Sequence, residues 1–258
     1  MSTLVLTFDN LGEASELERG TWLAGEPLGR HPSVTVAFPR LLEELDRHGL
    51  RATFFVEAIN CELYPDVLRE LVARGHELGA HGWRHEQWSR LSPGQERGVL
   101  ARATTAFETL ELDVRGFRPP GGELTPRTTA LLVELGLSWC SPAGTASERR
   151  DGIAYVPFEW ELVDAYHLME RFRSLRAQRG ADPAPLSPAQ LAKRLSATLS
   201  ALPDAHGHRT LVLHPFLMLD PAWWEGVMDL LATLGELART GRAAVLPGGE
   251  FASTLAPT

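Results

Sequence analysis

Several short segments place chemically capable side chains at the ends of apolar runs. His81-Gly82-Trp83-Arg84-His85 sets two imidazoles four residues apart. On a helical turn this spacing puts both on one face, within reach of one ion. Neutral imidazole suits zinc, and also cobalt, nickel or iron. Asp9 and Asn10 follow the run Leu4-Val5-Leu6-Thr7-Phe8. A carboxylate there can take a proton from a metal-activated water, although the same pair also suits an Asx turn.

Arg118-Pro119-Pro120-Gly121-Gly122 is a stiff turn followed by a permissive one. An arginine can fix a carboxylate through paired hydrogen bonds. The glycines let backbone N–H groups approach a substrate closely and meet a developing oxyanion. Leu211-Val212-Leu213 ends in His214, and histidine is the usual general acid near neutral pH. Further back, Glu159-Trp160-Glu161-Leu162-Val163-Asp164 offers Asp164 to hold a catalytic imidazole and Trp160 to wall a pocket. Each segment also has a bland reading, as a surface turn or a structural histidine. The set is more informative than any member.

The elements that must position these groups alternate between β-like and helix-like segments, which favours a parallel α/β architecture. β-like runs are expected at Leu4–Phe8, Ala52–Val56, up to His81, at Gly116–Arg118, Leu137–Cys140, Ile153–Phe158, Thr210–Leu213 and Ala243–Leu246. Helices are expected around Leu41–Leu45, from Pro65 to Gly75, from Gln95 to Leu110, after Thr125-Pro126, after Ser187-Pro188, and from Pro221 to about Thr240. The proline-rich Ala181–Pro188 reads as a surface loop, and Trp223-Trp224 as helix packing rather than pocket lining. In a parallel barrel the C-terminal strand ends gather at one mouth, so residues distant in sequence can meet there.

The 258 residues suit one large core, and one catalytic domain over 1–258 is expected. A net charge of -8 argues against a nucleic-acid partner. Cys61 and Cys140 form no CxxC pair, which fits a reducing compartment. The N-terminal residues lack the pattern of a secretory leader, and no apolar run is long enough to span a bilayer, so a cytoplasmic protein without a membrane partner is expected. A homo-oligomer is compatible with the sequence.

Taken together, the segments resemble the polysaccharide deacetylase (NodB-homology) family, also called carbohydrate esterase family four. Its ordered motifs are Thr-Phe-Asp-Asp, His-Ser/Thr-x-x-His, Arg-x-Pro-x-Gly, an Asp/Trp motif and Leu-x-Leu-His. Here they read Thr7-Phe8-Asp9-Asn10, His81 to His85, Arg118 to Gly122, a loose Trp160/Asp164 match, and Leu211 to Pro215. The resemblance implies a distorted (β/α)7 barrel. It implies Asp9 as base, oriented by Arg118, and His214 as acid. It implies Gly121 at the oxyanion position, a divalent metal such as Zn2+ (or Co2+, Ni2+, Fe2+) on His81 and His85, and a metal ligand at position 10.

Two positions depart from the pattern. Asn10 stands where the family has a second aspartate, so water or another acid such as Glu13 is an alternative ligand. Gly82 stands where it has Ser or Thr. The acidic position after Trp160 looks closer to the branch acting on small amides, ureides and imides than to secreted chitin or peptidoglycan deacetylases. The expected activity is hydrolysis of C–N acyl bonds, on an N-acetylated sugar or a related small amide. The competing reading, motivated by Asn10, is a metal-poor pseudoenzyme or binding protein that keeps the barrel and pocket.

Overall fold

A computed structural model describes residues 2–201 and 207–256. Its centre is β1 (Ser2–Asp9), buried along almost its whole length, as expected of a strand covered on both faces. Parallel neighbours follow on one side: β2 (Thr53–Val56), β3 (Glu77–Ala80), β4 (Gly116–Phe117) and β5 (Trp139–Cys140). An antiparallel hairpin of β6 (Glu148–Arg150) and β7 (Ile153–Tyr155) ends that side, with β7 paired to β5. On the other side β8 (His208–Leu213) pairs with β1 in register Thr7 to Val212, and β9 (Ala243–Leu246) pairs with the start of β1. A lone parallel bridge from Val163 to Val212 brings the chain beyond β7 back beside β8. The sheet thereby curls into a distorted (β/α)7 barrel.

Successive side chains on a strand point to opposite faces, and the two faces are separate here. Leu4, Leu6 and Phe8 of β1 join Phe54 of β2, Leu78 of β3, Phe117 of β4 and Leu211 and Leu213 of β8 in a core under the outer helices. Phe8 and Phe54 stack there at 4.8 Å. The intervening positions turn inward: Val5, Phe55 and Trp139 form a second cluster with Phe251. Inward space is tight where the rings sit. A Cβ at Gly79 would lie 2.5 Å from the Phe55 ring, and one at Gly116 would lie 2.4 Å from Trp139.

The strand-start end of the barrel is closed by the helix Gly248–Ser253. Gly248 N donates to the Thr53 hydroxyl at 2.7 Å and Gly249 N to the Glu77 carboxylate at 2.9 Å. The open end is therefore the one where the strands finish.

Most expected elements form, with shifted ends. The helix expected from Gln95 begins at Pro93, behind a Ser92/Gln95 capping box. The helix after Thr125-Pro126 starts only at Thr128, because the Thr128 hydroxyl first accepts the Thr125 N–H. The strands expected at Leu137–Cys140 and Ile153–Phe158 contract to their last and first residues respectively. The stretch expected as a loop over Ala181–Pro188 is one as far as Ser187, where Pro188 opens the helix Pro188–Ser200; it is pinned by the buried Arg176, whose guanidinium donates to the Pro183 and Met169 carbonyls at 2.7 and 2.9 Å. Cys61 and Cys140 are free and buried. Among the described residues no helix is long and apolar enough to cross a membrane.

Candidate active site

The inward parity runs to the end of β1 and one residue past β2, β3, β4, β5 and β8. Asp9 ends β1, Glu57 follows β2, His81 follows β3, Arg118 follows β4, Ser141 follows β5 and His214 follows β8. Ladder hydrogen bonds run on into these positions. His81 N donates to the Val56 carbonyl at 2.9 Å, Arg118 N to Ala80 at 2.9 Å and Ser141 N to Phe117 at 2.8 Å. Their backbones are thus as fixed as the sheet itself. Asp9, Asn10, His81, His85, Arg118, Gly121, Trp160 and His214 all line one cavity of about 560 Å³ at the open end.

Asp9 is 6% exposed and Arg118 1%. Arg118 Nη1 donates to Asp9 Oδ1 at 2.6 Å and to the Thr7 hydroxyl at 2.9 Å, while Nη2 donates to Ser141 Oγ at 2.8 Å. The guanidinium lies against the Phe55 ring, 4.1 Å from its centroid, with Phe158 at 5.0 Å on a second contact. Burial lowers its pKa, and the Asp9 charge opposes that shift. Asp9 therefore has one oxygen fixed by a buried cation while its carboxylate lines the cavity.

His214 and Asp164 form a second oriented pair. The His214 Nδ1–H donates to Asp164 Oδ1 at 2.5 Å. Asp164 is held in turn by the His214 N–H at 2.9 Å, the Ala165 N–H at 2.6 Å and Trp223 Nε1 at 3.3 Å. Trp223 was expected to pack in its helix. It is fully buried and also makes this bond to Asp164. With Nδ1 occupied, Nε2 is the His214 nitrogen left for the cavity that the ring lines.

The two motif histidines meet, but not on a helix. Gly82 and His85 both adopt positive φ, +79° and +75°, so the intervening chain is a tight loop that brings the rings to 4.9 Å between centroids. Glu86 closes it by accepting the Trp83 and Arg84 N–H groups at 2.9 and 3.0 Å. A Cβ at position 82 would lie 2.6 Å from the Glu86 carboxylate. That contact, with the positive φ, accounts for glycine where the resemblance leads one to expect Ser or Thr.

His81 Nδ1–H donates to the Arg118 carbonyl at 2.8 Å, leaving Nε2 as a lone-pair donor. Burial pushes the His81 pKa down to about 3, and burial, then His81 itself, hold His85 well below the ordinary value. Both rings are therefore neutral at neutral pH, the state a metal needs.

Ligand atoms of Glu57, His81 and His85 lie within 4.8 Å of one another. Glu57 was absent from the sequence reading. It is fully buried, its Oε2 accepts the Leu11 N–H at 3.1 Å, and its Oε1 has no partner. Burial above all pushes its pKa up to about 8. A carboxyl with an orphaned oxygen, which a bound cation would ionise, beside two neutral imidazoles is a donor set that fits a divalent ion of the zinc class. Asn10 takes φ +63°, a conformation asparagine tolerates better than most residues, and both its amide atoms are buried without partners. Glu13 is committed elsewhere, to the Tyr64 hydroxyl at 2.5 Å and the Gly29 N–H at 2.6 Å.

The remaining wall comes from the Arg118 loop and an aromatic group. Gly121 has φ +85° and open space where a Cβ would point, and its N–H makes no hydrogen bond among the described residues. Gly122 donates to the Pro119 carbonyl at 2.8 Å and packs towards Phe158 and Trp160. Trp160 sits edge-on to Phe158 at 5.3 Å and beside Phe172 at 5.6 Å.

Comparison with known proteins agrees with this geometry. Residues 2–139, just over half of the chain, match the sequence profile of the family described as "Polysaccharide deacetylase". A peptidoglycan deacetylase of Helicobacter pylori is 30% identical over 105 residues, 40% of this chain and 36% of that protein. The chain spans about a third of the length of the curated relatives it first matches. Among solved structures, one from Mycobacterium smegmatis assigned to the polysaccharide deacetylases has 25% identity and a TM-score of 0.79, covering 99% of this chain and 93% of that one. A PuuE allantoinase superposes with TM-score 0.73 at 18% identity over 98% and 90% of the two chains, a likeness of fold alone. With the profile covering the strands that carry Asp9, Glu57, His81 and Arg118, the chain belongs to the polysaccharide deacetylase family.

Proposed function

We propose that the chain is a single-domain, divalent-metal hydrolase that cleaves the C–N acyl bond of an N-acetylated sugar or a related small amide. The observation that carries this reading is the sharing of one cavity by Asp9, held by Arg118, and His214, held from behind by the buried Asp164, next to the Glu57/His81/His85 donor set. Glu57, His81 and His85 would hold the ion, with Asn10 at its side. When bound, the ion supplies Lewis-acid polarisation of the acyl oxygen and acidifies water.

The chain's own residues do the rest. Asp9 accepts the proton of the attacking water, kept in place by Arg118 and Thr7. The Gly121 N–H meets the oxyanion as the acyl carbon becomes tetrahedral. His214, held through Nδ1 by Asp164, delivers a proton from Nε2 to the departing nitrogen, which would otherwise leave as an amide anion. Trp160, Phe158 and Phe172 provide an apolar wall that excludes water from the reacting bond.

Release of acyl product tests the reading. Chelator-stripped and zinc-loaded protein are each offered N-acetylglucosamine oligomers, a small ureide and a cyclic imide. Zinc-loaded protein should act on at least one class, stripped protein on none, and His81→Ala on none after reloading. Activity equal in stripped and loaded protein, or absent from all three classes, contradicts the reading.

A further inference from the structure

Two cations at the cavity mouth have no use in the scheme above. Arg19 is the last residue of the helix Ala14–Arg19, and Arg171 lies in the short 3-10 turn Glu170–Phe172. Both line the same cavity as His81, His85 and His214. Among the described residues neither forms an ion pair or a hydrogen bond. Many of the chain's other arginines do, as in Arg47–Glu44, Arg97–Glu134 and Arg179–Glu161. An acidic chain of net charge -8 thus holds two guanidiniums at one opening without an ion-pair partner among the described residues.

Both residues are exposed at the opening; partial desolvation, with Arg19 as a neighbouring like charge, pulls Arg171 down to about 10, and partial desolvation lowers Arg19 against the opposing charges of Glu16 and Glu57. Both stay charged at neutral pH. They share the cavity lining with His81 and His85, so they face the candidate metal centre and not bulk water alone. Two acids share the lining: Asp9 is paired with Arg118, and the exposed Glu18 makes no ion pair with either arginine among the described residues, while the charges of Glu16 and Glu57 reach Arg19 without pairing with it. Phe172, tilted against Trp160, sits beside Arg171 and lowers the local polarity.

We propose that Arg19 and Arg171 bind an oxyanion, carboxylate or phosphate, carried by the substrate away from the acyl–nitrogen bond. The substrate class is then an anionic N-acylated amine, and the two arginines set specificity. This rests on the hydrolase reading, because it assigns the other end of the same substrate. Guanidinium is suited to such a group through its planar donor fork.

Calorimetry on the wild-type protein with amine products avoids turnover. Glucosamine is the neutral-body probe. Glucosamine 6-phosphate and muramic acid, its 3-lactyl carboxylate, are the anionic probes. At least one anionic probe should bind about ten- to a hundredfold more tightly than glucosamine, as charged hydrogen bonds typically give. Which one does separates phosphate from carboxylate. Arg19→Gln and Arg171→Gln should each remove most of that advantage, and Arg171→Lys should keep part of it. Equal affinity for all three probes in the wild type, or an advantage that survives both glutamine variants, overturns the proposal. Zinc-dependent acyl release without anion preference would remove the arginines' role alone. Anion preference without any acyl release would leave them in place and remove the hydrolase reading.

Discussion

Replacing Asp9 by asparagine should cut acyl-amide hydrolysis by about a hundred- to ten-thousandfold, the usual contribution of a positioned proton acceptor. Asparagine matches aspartate in shape but cannot take the proton. It also leaves Arg118 buried without its counter-charge. Breaking a buried pair from one side costs about 3–5 kcal/mol, so melting should fall by on the order of 10 °C. Loss of activity could then reflect lost structure, and a second variant separates the two. Asp9→Asn combined with Arg118→Met removes both charges and leaves a flexible apolar side chain against Phe55 and Phe158. Such a swap is often near neutral for stability. Melting should recover in the double variant while hydrolysis does not. Turnover within tenfold of wild type in folded Asp9→Asn protein would remove Asp9 from the proton-accepting role.

His214→Ala should have an effect that depends on the leaving group. An alkyl amine needs a proton to depart, so hydrolysis of an unactivated amide should drop about a hundred- to ten-thousandfold. An activated ester of the same acyl group leaves without one and should lose less than about tenfold. The variant should fold, because Asp164 keeps three donors: the backbone N–H groups at 165 and 214 and the Trp223 indole. Equal losses on amide and ester would leave His214 a structural or substrate-binding residue.

The sequence revealed the site unevenly, and the reason lies in the strands. Asp9, His81, Arg118 and His214 are conspicuous because each polar residue follows an apolar run. Glu57 has the same position after Thr53-Phe54-Phe55-Val56, and Ser141 after Trp139-Cys140. The usable signal was parity. Val5, Phe55 and Trp139 point into the barrel, and Asp9, Glu57 and Ser141 are the next inward positions that side chains can share with a cavity. Counting in twos from the inward residues would have found both missing groups. The His81/His85 pair was recognised with the wrong local structure. Spacing of four suits a helix, but positive φ at Gly82 and His85 makes a loop do the same work. Arg19 and Arg171 lie in short irregular elements with no periodicity, so only the folded chain brings them to the same opening.

The donor set at the strand ends bears most of the account, and zinc titration of chelator-stripped protein by calorimetry tests it most directly. Wild type should bind one ion per chain. Glu57→Gln preserves shape and can still accept the Leu11 N–H, yet removes the carboxylate charge. It should weaken binding by more than the roughly 10- to 100-fold that loss of a merely supporting group costs. His81→Ala should do the same, and Asn10→Ala should lose less than either. Wild-type affinity in Glu57→Gln would contradict the account, since the carboxylate ligand would then have to come from elsewhere in the cavity.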